Sequence, residues 1–212
     1  MCPHRILTIK YNELKNMGAE SQNYWAESIQ VLEGLEPVRK RPWMYIWSTD
    51  ERGLHHLVWE IVDNSIDEAM AGHCDTIIVT LGNDGSCIVE DNGRWIPTAT
   101  HPKTWKSSLE TILTVLHAGW KFGWGGYKVS GWLHWVWSSV VNALSTRMEA
   151  IVEREWKKFF LAFEKWITQG DIEVIGKSNR TGTIIKFWPD GEIFKITTTF
   201  DYQTIVNRLR QQ

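Results

Sequence analysis

Cysteine is scarce. There are three, Cys2, Cys74 and Cys87, and no two form a C-x-x-C pair. That argues against a disulfide framework and a cysteine zinc site, and it fits a reducing compartment. No apolar run approaches transmembrane length, and the N-terminus lacks the apolar core of a signal peptide. No membrane role is expected, and the cytoplasm is the default location. Basic residues are not in excess: 23 Lys and Arg stand against 25 Asp and Glu, for a net charge of −2. That balance gives no electrostatic footprint for nucleic acid on this segment itself. Internal repeats and low-complexity tracts are also missing.

What is present fits a soluble globular chain. At 212 residues it is one large domain, or one domain with additions, and long enough to bury a real core. One count is abnormal. There are 14 Trp against 7 Phe and 5 Tyr. Trp is bulky, and its N–H needs a partner when buried. Yet many of these Trp sit in turn-like contexts, such as Arg-Pro-Trp43, Asn-Gly-Arg-Trp95-Ile-Pro and His-Ala-Gly-Trp120-Lys. Turn chemistry there asks for glycine.

Residues 1–23 have weak periodicity and read as a leader or arm, with residues 24–212 as the domain. Met17 is a candidate start. Glu27 to Lys40 has apolar residues spaced by three and reads as a short helix broken at Pro37 or ended by Arg41-Pro42. Gly53 to Ala71 is the clearest helix, with one broad apolar face and Gly72 as its stop. Thr76 to Leu81 is a β-branched run, Asn83-Asp84-Gly85 a hairpin turn, and Ser86 to Glu90 the return strand. Asp91-Asn92-Gly93-Arg94 then leaves the sheet. Ser108 to His117 and Ser138 to Leu144 have helical spacing. Arg147 to Arg154, Lys158 to Lys165, Asp171 to Ile175 and Gly182 to Phe187 read as strands, and Thr199 to Arg210 as a terminal helix. Strands and helices cluster rather than alternate. That predicts an α+β fold, a mixed and mostly antiparallel sheet with helices on one face.

Four stretches carry polar chemistry. Glu60, Asn64 and Glu68 fall at i, i+4 and i+8 on one helical stripe, with Asp63 and Asp67 on a second. A carboxylate one turn from an amide suits metal-assisted phosphoryl transfer: one polarises water, the other offers an oxygen to Mg²⁺. The same spacing is also what a solvated acidic face shows. Asp91 follows a strand and precedes Asn92-Gly93. It either accepts a base amino group in a pocket or merely initiates a turn. Gly119 to Ser145 is a loop rich in Gly, Lys and Trp that opens a helix. Bare N–H groups and the helix dipole make such a loop a phosphate cradle, although it is neither a Walker A loop nor a Rossmann fingerprint. Thr181-Gly182-Thr183 enters the last strand.

In that order these pieces resemble the GHKL ATP-binding superfamily, whose Bergerat fold is a two-layer α+β sandwich. More narrowly, PVRKRPWMYIW, GLHHLVWEIVDNSIDEAMAG, EDNGRWIPT, TVLHAGWKF, YKVSGWLHWVWSSVVNALS and GTIIKFWP are similar to the N-terminal ATPase domains of bacterial type II topoisomerases. These are gyrase B and its topoisomerase IV paralogue. The resemblance covers about residues 24–210.

The resemblance implies ATP and Mg²⁺ as ligands and a role for each matching position. Glu60 matches the general base, Asn64 the Mg²⁺ ligand and Glu68 a pocket carboxylate. Asp91 matches the reader of the adenine amine, assisted through water by Thr183. Gly93, Arg94, Ile96 and Pro97 match the pocket wall. Lys121, Tyr127 and Lys128 fall in the lid. Gly131, Trp132, Leu133, His134, Trp135, Val136 and Trp137 match the phosphate loop. The segment from Tyr24 to Ile29 matches an arm that reaches into a second copy, so ATP-driven homodimerisation is implied. So are a gyrase A-type partner and action on DNA through the full assembly.

Two departures stand out. The family's transducer domain supplies a lysine to the γ-phosphate, and no such domain precedes Gln212. The expectation is therefore a chain that binds ATP better than it hydrolyses it, with an inactive fragment as the rival reading. The second departure is that Trp occupies family glycine positions at 43, 47, 95, 120, 132, 135 and 137. By context 25, 105, 124, 156 and 166 belong to the same set, while Trp59 and Trp188 look genuine. Random decay would also have struck Glu60, Asn64, Asp91 and Lys121, which are intact. A UGA codon that means glycine but is translated as tryptophan would change only a subset of glycines, as seen.

Overall fold

A computed structural model describes residues 34–94, 96–100, 105–116 and 135–211, the side chains of residues 135 and 136 excepted. In chain order the elements are α1 (Glu36–Lys40), α2 (Trp43–Ile46), α3 (Glu51–Met70), β1 (Ile77–Leu81), β2 (Cys87–Asp91), α4 (Ser108–Thr114) and α5 (Trp135–Ala143). There follow β3 (Ser145–Arg154), β4 (Lys157–Glu164), β5 (Ile167–Lys177), β6 (Gly182–Pro189) and α6 (Tyr202–Leu209). The expected arm at 1–23 lies outside the described residues.

The strands form one six-stranded sheet in the order β1-β2-β6-β3-β4-β5. Every pairing in it is antiparallel, a stricter arrangement than the expected mixed sheet. Alternation sends Cys87 and Val89 of β2, Met148, Ala150 and Val152 of β3, and Ile185 and Phe187 of β6 into the core. There they meet Leu54, Leu57, Val58, Ile61 and Val62 of α3 and Val140 and Val141 of α5. The result is two layers around one core, which is the predicted α+β class.

The central helix α3 is well specified at both ends. Asp50 caps it, accepting from the N–H groups of Arg52 and Gly53. The hydroxyl of Ser48 donates to the same carboxylate at 2.6 Å and holds its pKa below the usual range. At the other end Gly72 takes φ +79°, its N–H bonds the carbonyl of Ala69, and His73 N–H bonds that of Glu68. This double bond pattern is a Schellman cap, and it stops the helix where the sequence predicts. Gly53 is confined by the turn before it: a Cβ there would lie 1.9 Å from the carbonyl oxygen of Ser48. Gly53→Ala is therefore expected to lower stability by about 1–3 kcal/mol through overpacking, read by chemical denaturation.

Several boundaries differ from expectation, each for a local reason. Pro37 does not break a helix. It sits in the first turn of α1, where its missing N–H costs nothing, while the Glu27 to Leu32 part of that expectation lies outside the described residues. Helix α2 is a single turn that the sequence pattern does not announce. Asp91 is the last residue of β2, not the first of a loop, because Ile77 and Thr183 pair with it on either side. Strand β5 is longer than Asp171 to Ile175. Gly170 at φ +82° and two register shifts against β4 break the two-residue period that marks a strand. Helix α6 starts at Tyr202, because Asp201 caps it by accepting from Thr204 N–H.

Candidate functional site

The polar stripe of α3 is not a solvated face. Glu60 is 5% exposed, and Asn64 and Glu68 are 0% exposed. They point under the N-terminal part of α5 and the end of β2. Asn64 donates through Nδ2 to the carbonyl of Glu60 at 2.6 Å and to the hydroxyl of Ser138 on α5 at 3.0 Å. These two bonds fix the amide and leave its Oδ1 buried with no partner among the described residues. Glu60 Oε1 lies 2.9 Å from Nε2 of His56, one turn earlier on the helix. Its Oε2 is likewise buried and unpartnered among the described residues.

Asp91 is held by its strand and by two short bonds. Ser65 Oγ donates to Oδ2 at 2.8 Å, and Gly93 N–H donates to Oδ1 at 2.9 Å. The β2–β6 register sets Thr183 directly opposite Asp91, and Thr183 Oγ1 is a third buried oxygen without a partner among the described residues. Gly93 is forced by crowding: a Cβ there would lie 3.1 Å from Asp91 Oδ1 and from Cβ and Cγ of Glu68. Glu68 accepts the N–H of Arg94 at 3.1 Å, with the guanidinium Nε at 3.6 Å. Ile96 is fully buried, and its carbonyl accepts Nη1 of Arg154 at 3.1 Å; Pro97 is half-buried beside it.

The fold thus brings together Glu68, Asp91, Gly93, Arg94 and Thr183, with Glu60 and Asn64 bonded to each other further along α3 and Ile96 and Pro97 following Arg94 in the chain. Lys121, Tyr127, Lys128, Gly131, Trp132, Leu133 and His134 lie outside the described residues. Trp135 and Val136 form the first turn of α5. Trp137 follows on that helix, its ring edge-on to Tyr45 at 6.4 Å and to His56 at 6.3 Å.

Sequence reasoning missed four partners. His56 could have been found, since it stands at i−4 from Glu60 on a helix whose register was clear. Ser65, Ser138 and Arg154 could not. Their value depends on contacts spanning 26, 74 and 58 residues of chain.

Four buried side-chain oxygens lack a partner among the described residues; one, Asn142 Oδ1, belongs to an amide that bonds the Leu113 carbonyl, and the other three, on Glu60, Asn64 and Thr183, could take what a bound molecule supplies. An unsatisfied buried acceptor costs about 1–3 kcal/mol, so each is a place where a donor or cation belongs. The amide oxygen of Asn64 is a hard neutral ligand suited to Mg²⁺. No group of three or more His, Cys, Asp or Glu side chains among the described residues could hold a metal alone. No helix among the described residues is long and apolar enough to cross a membrane.

Known proteins are similar to this chain in sequence and in fold. The chain is 60% identical to DNA gyrase B of Halalkalibacterium halodurans, over 92% of its own length and 31% of that protein. It is 56% identical to DNA gyrase B of Synechocystis, over 92% of its length and 18% of that protein. It is also 56% identical to that of Staphylococcus aureus, over 90% and 30%. The chain therefore spans a third or less of the length of these relatives. In structure it is similar to the 43K ATPase domain of Thermus thermophilus gyrase B, crystallised with an aminocoumarin. The TM-score is 0.73 at 43% identity, covering 83% of this chain and 44% of that one. Residues 49–193, which hold α3, the end of β2 and the start of β6, match the family of histidine kinase-, DNA gyrase B- and HSP90-like ATPases, and the protein belongs to that family.

Proposed function

We propose that the site binds ATP with Mg²⁺ and directs water onto its γ-phosphate. The observation that carries this reading is that three of the four buried, unpartnered oxygens among the described residues belong to Glu60, Asn64 and Thr183, with Thr183 directly opposite Asp91 in the sheet. Asp91 accepts the adenine amine, with Thr183 Oγ1 beside it through a water. Glu68, Gly93, Arg94, Ile96 and Pro97 form the wall of the base pocket. Asn64 offers Oδ1 to Mg²⁺, which would neutralise phosphate charge when bound. Glu60 takes the proton of the attacking water at Oε2, while His56 holds the other oxygen in place. Lys121, Tyr127 and Lys128 serve the lid, and residues 131–137 the phosphates.

The wider role follows from the relatives. The chain acts as the ATPase part of a type II topoisomerase in the cytoplasm. Residues 1–23 form a leader or arm, residues 24–212 the ATPase domain, and ATP binding drives homodimerisation through the N-terminal arm segment around Tyr24 to Ile29. A gyrase A-type partner and DNA complete the assembly. The nucleotide reading is tested by competition between ATP and GTP in the presence of Mg²⁺. ATP should win by roughly 100-fold or more, because the O6 of guanine would set an acceptor against the Asp91 carboxylate. Equal affinity for the two would remove Asp91 from base recognition.

A further inference from the structure

Among the described residues, six that are not glycine have positive φ, and four of the six are tryptophan. They are Trp47 at 68°, Trp105 at 59°, Trp156 at 64° and Trp166 at 66°; the other two are Glu155 and Lys165. For a bulky L-residue this region is an outlier, because the β-carbon crowds the backbone. The residues that ordinarily tolerate it, Asn and Asp, are absent from the set. Glycine takes the same conformation without that cost.

Two of the four sit in a turn with a known demand. Arg154 pairs with Lys157, and Glu164 with Ile167, so Glu155-Trp156 and Lys165-Trp166 are two-residue hairpin loops. Both residues of each loop have positive φ, with Glu155 at 53° and Lys165 at 45°. That is the pattern of a type I′ turn, whose second position belongs to glycine in the common Asn-Gly and Asp-Gly forms. Trp47 occupies the left-handed C-cap of α2, again a glycine position.

At three of the four positions packing does not compensate. Trp47 is 83% exposed, Trp105 84% and Trp156 75%. Trp166 alone has company, with the Arg39 guanidinium 5.4 Å from its ring centroid. Trp59 and Trp188 behave differently. They lie within α3 and β6 with ordinary backbones, and their rings meet His55 and Lys186. True glycines with positive φ persist at Gly34, Gly72, Gly85 and Gly170, so only part of the glycine set is exchanged.

We propose that the protein made in its own cell carries glycine at 47, 105, 156 and 166, from UGA codons decoded there as glycine. A codon reassignment replaces a subset of glycines and leaves every other residue type alone, as the intact Glu60, Asn64 and Asp91 require. The backbone at Trp43 and Trp137 is helical and does not itself call for glycine. The identity of these four residues is independent of the ATP reading.

Tandem mass spectrometry of peptides from the protein isolated from its native cells tests it. Glycine is expected at 47, 105, 156 and 166, and tryptophan at 59 and 188. Tryptophan at any of the four overturns the assignment. A second measurement compares two recombinant chains, one with the present sequence and one with glycine at all four positions. The glycine form should melt higher by about 5 °C or more. A glycine form that melts at the same temperature or lower would remove the physical basis of the proposal.

Discussion

Glu60→Gln is expected to lower ATP hydrolysis by about 10²–10⁴-fold while ATP affinity changes little, the signature of a lost general base. Gln keeps the shape of the side chain and an oxygen for His56, 2.9 Å away in the parent. It removes only the basic lone pair on the buried second oxygen. Phosphate release under single-turnover conditions, with nucleotide binding measured separately, distinguishes the two effects. A Glu60→Gln protein that turns over at the parent rate would mean that water is activated elsewhere. One that fails to bind ATP would place Glu60 in binding, not chemistry.

The second large effect is expected at Trp137. Its ring stands edge-on to Tyr45 and His56 near the N-terminus of α5, at the Glu60 end of the site. An incoming phosphate would seek the bare N–H groups of that helix end, and the indole is expected to crowd its approach. Trp137→Gly should raise ATP affinity by about 10–100-fold, the worth of one or two recovered bonds to a charged group. Helix stability should fall by about 0.5–1 kcal/mol, since glycine is a poor helix residue. Calorimetric titration with ATP on both forms reads the first effect, and thermal unfolding the second. Unchanged affinity would show that the indole does not stand in the path of the phosphates.

How far the sequence went can be judged from particular residues. The C-terminal end of α3 was legible because a left-handed glycine is a local device, whereas its start was read at Gly53, two residues late, because the Asp50 cap was not recognised. The i, i+4, i+8 spacing of Glu60, Asn64 and Glu68 was legible too, but its burial was not. A buried polar stripe and a solvated one share a period, and only Ser138, 74 residues away, and Asp91 at the end of β2 tell them apart. The β1–β2 hairpin announced itself through Asn83-Asp84-Gly85. The β3–β4 and β4–β5 turns gave no such signal, because Trp156 and Trp166 stand where a glycine would have marked them. Strand alternation located the first of these turns, while the second was read as a longer gap, 166–170, before a strand starting at Asp171. β5 was read too short because Gly170 and the register shifts erase its alternation. The lid chemistry assigned to Lys121, Tyr127 and Lys128 belongs to a stretch outside the described residues and rests on the family pattern.

The central claim is that Asp91, at the end of β2, reads the adenine of ATP in a pocket completed by Glu68 and Thr183. It is tested most directly by titrating a non-hydrolysable ATP analogue, with Mg²⁺, into the Trp137→Gly chain and the same chain carrying Asp91→Asn. Asparagine keeps the size of the side chain but turns half of it into a donor facing the adenine amine. The account predicts a loss of affinity of about 10–100-fold with the melting temperature nearly unchanged in the absence of nucleotide. Equal affinity in the two chains would contradict it.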